Sequence, residues 1–293
     1  MALDARIKET ARAKSMPVGR CRQLCIFEAF IARVFDEMGS QVLVKGGVAL
    51  ELVLERARTT KDIDLRMVGD ATEIERQLRA AGRRRLVGDD GNVVDDFLSF
   101  ELRATELIKD FTAPYGGTRY VVDATLGGDS YGNPFGLDVG LADAVTGSIE
   151  IVTGNKTFAF VGIAPSRFRV YPRETHVAEK LHAYSVPRTR PNSRIRDLPD
   201  LALLSTRTFT AVTLRSAIDA TFGQRETHAV PLALAAPPPE WAEPYAHLAN
   251  RDSLPWPALA DAYNRARSFL DPVLGGTTGE WDPDAAEWRA RAG

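Results

Sequence analysis

Apolar residues recur at helical spacing through residues 22–38, RQLCIFEAFIARVFDEM, and Gly39 supplies a stop. QVLVK, residues 41–45, reads as a short buried strand. Gly46 and Gly47 break the chain, and residues 48–56 read as a helix. DIDLRM, residues 62–67, alternates polar and apolar positions as a half-buried strand does. A helix is expected over 72–81, ended by Gly82, and strands over 97–102 and 119–125. Residues 149–153 and 158–162 read as two further strands, with Gly154 and Asn155 between them as a hairpin turn. The pattern changes near Pro172. Helices are expected over 174–185, 198–204, 211–221 and 256–269, with Pro237, Pro238 and Pro239 in an extended crossing segment. The tail, 274–293, reads as loosely held. The expected fold is mixed α/β (α+β) over residues 1–170, followed by a mainly helical part over 171–293.

Composition narrows the picture. The 293 residues are enough for one large domain or two modest ones, and 44% apolar with 26% charged residues is close to an average globular protein. No run of eighteen apolar residues predicts a membrane span. The first seventeen residues lack the apolar core of a secretory signal, so the cytoplasm is the expected place of action. Cys21 and Cys25 lie four residues apart on one helix face, with no partner pair for zinc, and read as buried free thiols. The net charge of −2 excludes a general polyanion coat. Arginines cluster locally, at Arg83, Arg84 and Arg85 and at Arg188, Arg190, Arg194 and Arg196, where their forks match phosphate geometry.

The chemistry concentrates in LVKGGVALELVLERARTTKDIDLR, residues 43–66. On a strand, Asp62 and Asp64 point to one face and Ile63 and Leu65 to the other. Two carboxylates on one face repel, and a divalent ion with a preference for oxygen, magnesium or manganese, relieves the repulsion. The double glycine allows close backbone approach to a triphosphate, and the helix that follows offers oriented N–H groups. Asp123, after Val121 and Val122 on another expected strand, is the candidate third carboxylate for a two-metal site. On the helix 174–185, Lys180 can face a cleft while Leu181 and Val177 bury. His182 reads as an amphipathic partner on the same helix, and His176 has no evident partner. Asp197 has the alternative reading of a helix N-cap.

KGGVALEL followed by RTTKDIDL resembles the opening of the DNA polymerase β-type nucleotidyltransferases, and more closely the AbiEii/AbiGii toxin family that includes the mycobacterial MenT toxins. AEKLHA at 178–183 and RDLPDL at 196–201 are similar to two downstream motifs of that family, in the same order. The resemblance covers roughly residues 43–205 and implies a polymerase β-like core over 1–170, with 171–293 completing the cleft. It implies catalytic roles for Asp62, Asp64, Lys180, Asp197 and Asp200, with Mg2+ or Mn2+ held by Asp62, Asp64 and Asp123. Lys45, Gly46, Gly47 and Lys180 would meet the phosphates of a nucleoside triphosphate. Asp197 or Asp200 would orient Lys180, and Pro199 between them leaves open which. Val48 stands where the wider superfamily often carries a hydroxyl, so backbone contacts must suffice there. The implied reaction is transfer of a nucleoside monophosphate to a tRNA 3′ end by the toxin of a toxin–antitoxin pair, with an antitoxin partner. Transfer to a protein or a small molecule, or a non-catalytic role in binding a partner, are the alternatives.

Overall fold

The structure is a computed structural model that describes residues 2–54, 59–87, 93–107, 117–141, 145–154, 163–187 and 194–290. It opens with helix α1 (Ala2–Ala13), whose Leu3, Ile7 and Ala11 recur every four residues and bury one stripe against α2 (Val18–Met38). Gly39, at φ +57°, ends α2 as its sequence suggests. Strand β1 (Val42–Lys45) runs directly into α3 (Gly46–Val53), and β2 (Asp62–Met67) follows. Helix α4 (Ala71–Arg83) is N-capped by Asp70, which accepts from the N–H groups of Thr72 and Glu73. Gly82 was expected to end this helix but lies inside it. A Cβ there would come within 2.5 Å of the Phe100 carbonyl oxygen, so the glycine serves helix–sheet contact.

Two short strands, β3 (Leu86–Val87) and β4 (Val93–Val94), pair with each other. Long β5 (Leu98–Leu107) and β6 (Gly117–Leu126) form an antiparallel pair, with β7 (Asp129–Ser130) returning on β6. Next come β8 (Phe135–Leu141), β9 (Glu150–Thr153) and β10 (Arg167–Val170). The partner of β9 is β10. The strand expected over 158–162 lies outside the described residues. The mixed sheet has the order β5-β6-β8-β2-β1-β10-β9, with β2 parallel to β8 and β1 parallel to β10. Its residues alternate. Ile63, Leu65 and Met67 of β2 are fully buried, as are Val122 of β6 and Leu137 of β8, within one core that α1, α2 and α4 complete. Asp62, Asp64 and Arg66 take the other, half-buried face.

The remainder is mainly helical: α5 (Arg173–Ser185), α6 (Asp197–Leu204), α7 (Ala211–Arg225), α8 (Ala242–Arg251) and α9 (Leu259–Leu274). They enclose a second core around Leu181, Leu201, Leu214, Ile218 and Phe269. The tail corrects the expectation of a loose end. Strands β11 (Phe209–Thr210), β12 (Glu280–Asp282) and β13 (Glu287–Arg289) form a small antiparallel sheet. Trp281 is 1% exposed and donates from Nε1 to the Ser205 carbonyl at 2.6 Å. Helix α3 joins the two cores: Val48 and Ala49 pack into the first, Leu50 into the second.

Candidate active site

Strand register creates the site. Lys45 of β1 lies opposite Asp64 of β2, Asp64 opposite Asp138 of β8, and Asp138 opposite Arg119 of β6. Directly paired residues share a face, so four strands present one row of charges, plus, minus, minus, plus. One step along, Asp62 lies opposite Gly136, which lies opposite Val121. Arg119 grips Asp138 with a two-pronged fork, Nε to Oδ1 at 2.6 Å and Nη2 to Oδ2 at 2.5 Å.

Glycines make room for the two aspartates of β2. A Cβ on Gly46 would fall 1.9 Å from Asp64 Oδ2, and Gly46 sits at φ +67°, where a side chain is strained as well. A Cβ on Gly136 would fall 2.5 Å from Asp62 Oδ1. Gly47 faces the Thr60 side chain instead, and a Cβ there would fall 2.7 Å from Thr60 Cβ. Thr60, two residues before Asp62, is tied down. Thr60 donates its N–H to Glu51 Oε1 at 2.9 Å, and Arg20 bonds both the Thr60 carbonyl and Glu51.

The second half of the chain closes over this row. Lys180 of α5 reaches Asp197 Oδ1 at 3.0 Å and Asp200 Oδ2 at 2.7 Å, so both aspartates of RDLPDL meet the same ammonium. Glu179, its neighbour, accepts from Arg225 at 3.1 Å and from the Tyr171 hydroxyl at 3.4 Å. Its Oε1 also lies 3.7 Å from Lys45 Nζ, which stands 5.7 Å from the Tyr171 ring centre. The Asp64 carboxyl is pushed up to about 6, first by burial and then by the charge of Asp138, with a smaller push from Asp62. The positive charges of Lys45 and Lys180 pull the other way. His176, one turn before Lys180, is 4% exposed. Burial first, then Lys180 and Lys45, push its imidazole down to about 3, so it is neutral.

The sequence-derived set is therefore only partly brought together. Asp62, Asp64, Lys45, Gly46 and Lys180 converge, with Asp197 and Asp200 behind Lys180. Asp123, expected as the third carboxylate, stands apart: it lies opposite Glu101 of β5 and is bound by Arg103 at 2.8 Å. Asp138 takes the place beside Asp64 that was expected of Asp123. The oxygens of Asp62, Asp64 and Asp138 are the donors that magnesium or manganese prefers. Among the described residues no three such side chains are arranged around a metal-sized point, and Asp138 has both oxygens engaged by Arg119.

A family model described as nucleotidyl transferase AbiEii toxin, type IV toxin–antitoxin system, matches residues 29–273. The chain belongs to the AbiEii family. The fold agrees: the structure of MenT4, nucleotidyltransferase toxin Rv2826c from Mycobacterium tuberculosis H37Rv, matches with a TM-score of 0.61 and 16% identity, over 96% of this chain and 92% of that one. JHP933 from Helicobacter pylori gives 0.49 at 15% identity, over 87% and 91%. A putative nucleotidyltransferase from H. pylori gives 0.45 at 16%, over 86% and 92%. No curated protein matches. No helix among the described residues is long and apolar enough to cross a membrane.

In this AbiEii chain the arginine clusters separate. Arg84 is paired with Asp36 and Glu37 of α2, and Arg85 lies 3.6 Å from Asp95, so two members of the first cluster are held in ion pairs. Arg188 and Arg190 lie outside the described residues. Arg194 and Arg196 flank the start of α6, where Arg194 Nε comes within 4.0 Å of Asp197. Asp138, Arg119 and Gly136 were missed by the sequence reading. The signal for β8 was present in FGLDVGL, whose Phe135, Leu137, Val139 and Leu141 alternate with Gly136, Asp138 and Gly140.

Proposed function

We propose that the protein is a metal-dependent nucleotidyltransferase that moves a nucleoside monophosphate from a nucleoside triphosphate to the 3′ end of tRNA. It acts in the cytoplasm as the toxin of a toxin–antitoxin pair, with an antitoxin as its protein partner. Family membership supports the nucleotidyltransferase toxin class. The observation that carries the chemistry is the charge row Lys45–Asp64–Asp138–Arg119, with the positive charge of Lys180 acting on Asp64.

Asp62 and Asp64, with Asp138 beside them, would hold Mg2+ or Mn2+. When bound, such an ion supplies positive charge that acidifies the attacking hydroxyl and stabilises the leaving pyrophosphate. Lys45 and the first N–H groups of α3 meet the triphosphate, where the helix N-terminus favours negative charge. Gly46 keeps that turn narrow enough for Asp64 to reach it. Lys180 places a fixed ammonium near the transferred phosphate, where negative charge grows in the transition state. Asp197 and Asp200 fix its direction from behind. His176, neutral beside two ammoniums, adds no charge of its own. Arg194 and Arg196, at the same end of α6, favour approach of a polyanion such as tRNA.

The test is transfer of label from each α-labelled nucleoside triphosphate to total tRNA with magnesium, with Asp64→Ala as control. Label in tRNA from the wild type alone supports the proposal. Label in a protein or small molecule keeps the reaction and moves the acceptor. No label, with Asp64→Ala still arresting growth when expressed, replaces catalysis with partner binding.

A further inference from the structure

Two carboxylates directly opposite each other on neighbouring strands destabilise a sheet unless a cation answers them. Asp64 and Asp138 are such a pair. At one end of their row Lys45 is drawn toward Glu179 and the Tyr171 ring. At the other, Arg119 commits two guanidinium nitrogens to both oxygens of Asp138. The fork stands in the open. The side chain of Arg119 is 52% exposed against 20% for Asp138, so water can replace the guanidinium without unpacking the core. Arg119 also projects from an exposed position of β6, between buried Tyr120 and the half-buried Thr118.

We infer that Arg119 is the resident counter-cation of Asp138 and that a divalent ion must exchange with it before Asp138 can join Asp62 and Asp64 as a ligand. The inference rests on the metal-site reading above. In the metal-free protein, Arg119 neutralises the third carboxylate and offsets the repulsion within the row. Metal loading would break two guanidinium–carboxylate bonds and leave the guanidinium on β6, at the end of the row opposite Lys45. Arg119 is thus a positioning residue that sets metal affinity through Asp138. An exposed ion pair is weak and a bidentate one somewhat stronger, so the exchange should lower metal affinity roughly three- to tenfold.

The experiment is direct Mn2+ binding to the full-length protein without nucleotide, read from the loss of the free-ion electron paramagnetic resonance signal. Thermal melts confirm that each variant is folded. Arg119→Gln is expected to bind Mn2+ roughly three- to tenfold tighter than the wild type, and Arg119→Lys, which cannot span both oxygens, to fall between them. On an Asp138→Asn background the gain should largely vanish, because the exchange acts through that carboxylate. Unchanged or weaker binding by Arg119→Gln overturns the inference. So does a gain that persists undiminished with Asp138→Asn, since that would be a long-range field effect. Asp64→Asn separates the two readings. If it leaves Mn2+ binding untouched, the metal site itself is wrong. If binding depends on Asp64 but ignores Arg119, only the exchange is wrong.

Discussion

Asp64 titrates near 3.8 in an open chain and at about 6 in the folded protein. Folding therefore tightens its hold on a proton. The stabilisation this gives is complete below about pH 4 and is lost as the pH rises through 6. At pH 7.5 the metal-free protein carries a confined, ionised carboxylate at a net disadvantage. Asp64→Asn should then raise the stability of the metal-free protein by on the order of 1–2 kcal/mol at pH 7.5 while abolishing transfer. Urea melts in chelator check this, and the gap should shrink at pH 4. A variant less stable than the wild type at pH 7.5 would show that Lys45 and Lys180 outweigh the burial of Asp64. Gly136 makes a second test at this scale. Its backbone is in an ordinary extended conformation, so Gly136→Ala introduces only a methyl group against Asp62 Oδ1. Carboxylate ends can shift, so the melting temperature should hardly move, yet a displacement of about 1 Å can reduce transfer by about a hundredfold. The ratio of transfer rate to stability, wild type against variant, reads the effect.

At the scale of elements, α5 and α6 are joined through Lys180. Asp200 has a fully buried side chain, and Asp197 is nearly so. Lys180→Met leaves two confined carboxylates without their ammonium and should cost about 3–5 kcal/mol. Adding Asp200→Asn should recover much of that stability but none of the transfer activity, since the missing charge near Asp64 is not restored. Chemical denaturation beside the labelling assay separates the two effects. These helices were legible in the sequence because AEKLHA and RDLPDL combine helical apolar spacing with polar residues in known order. Strand β2 was legible because polar and apolar positions alternate without exception. Strand β8 alternates too but was passed over, because the residues on its outward face are Gly136, Asp138 and Gly140, which lower strand propensity just where the site needs room and charge. Asp123 stood out for the opposite reason: it follows two valines on a clear strand, but its diagonal ion partner on β5, Arg103, is visible only once β5 and β6 are paired. The tail was misread because DPDA looks like loop sequence. The flanking Trp281 and Trp288 are the residues that turn it into a packed hairpin, Trp281 edge-on to Phe269 and Trp288 stacked on it.

For the molecule as a whole, the question is whether the two cores unfold together. The expected boundary at residue 170 falls at a tight junction. Only two residues separate β10 from α5, and one of them, Tyr171, is 1% exposed and donates its N–H to the Val44 carbonyl. Helix α3 contributes to both cores, and Lys45, Glu179 and Tyr171 link the charge row to α5. We propose that residues 1–170 and 171–293 are two domains in composition that form one cooperative unit in folding. The two parts carry separate reporters. All four tryptophans, Trp241, Trp256, Trp281 and Trp288, lie in the second part, and both cysteines, Cys21 and Cys25, lie buried in the first. Tryptophan fluorescence and thiol labelling, followed through the same urea titration, should therefore give coincident midpoints. Trp281→Ala removes a buried aromatic from the second core and should destabilise it by about 3–5 kcal/mol. If α3 couples the cores, that substitution moves the thiol-labelling midpoint as far as the fluorescence midpoint. A thiol midpoint left in place would mean that the first core stands alone, and that the site is assembled by docking two independently stable parts.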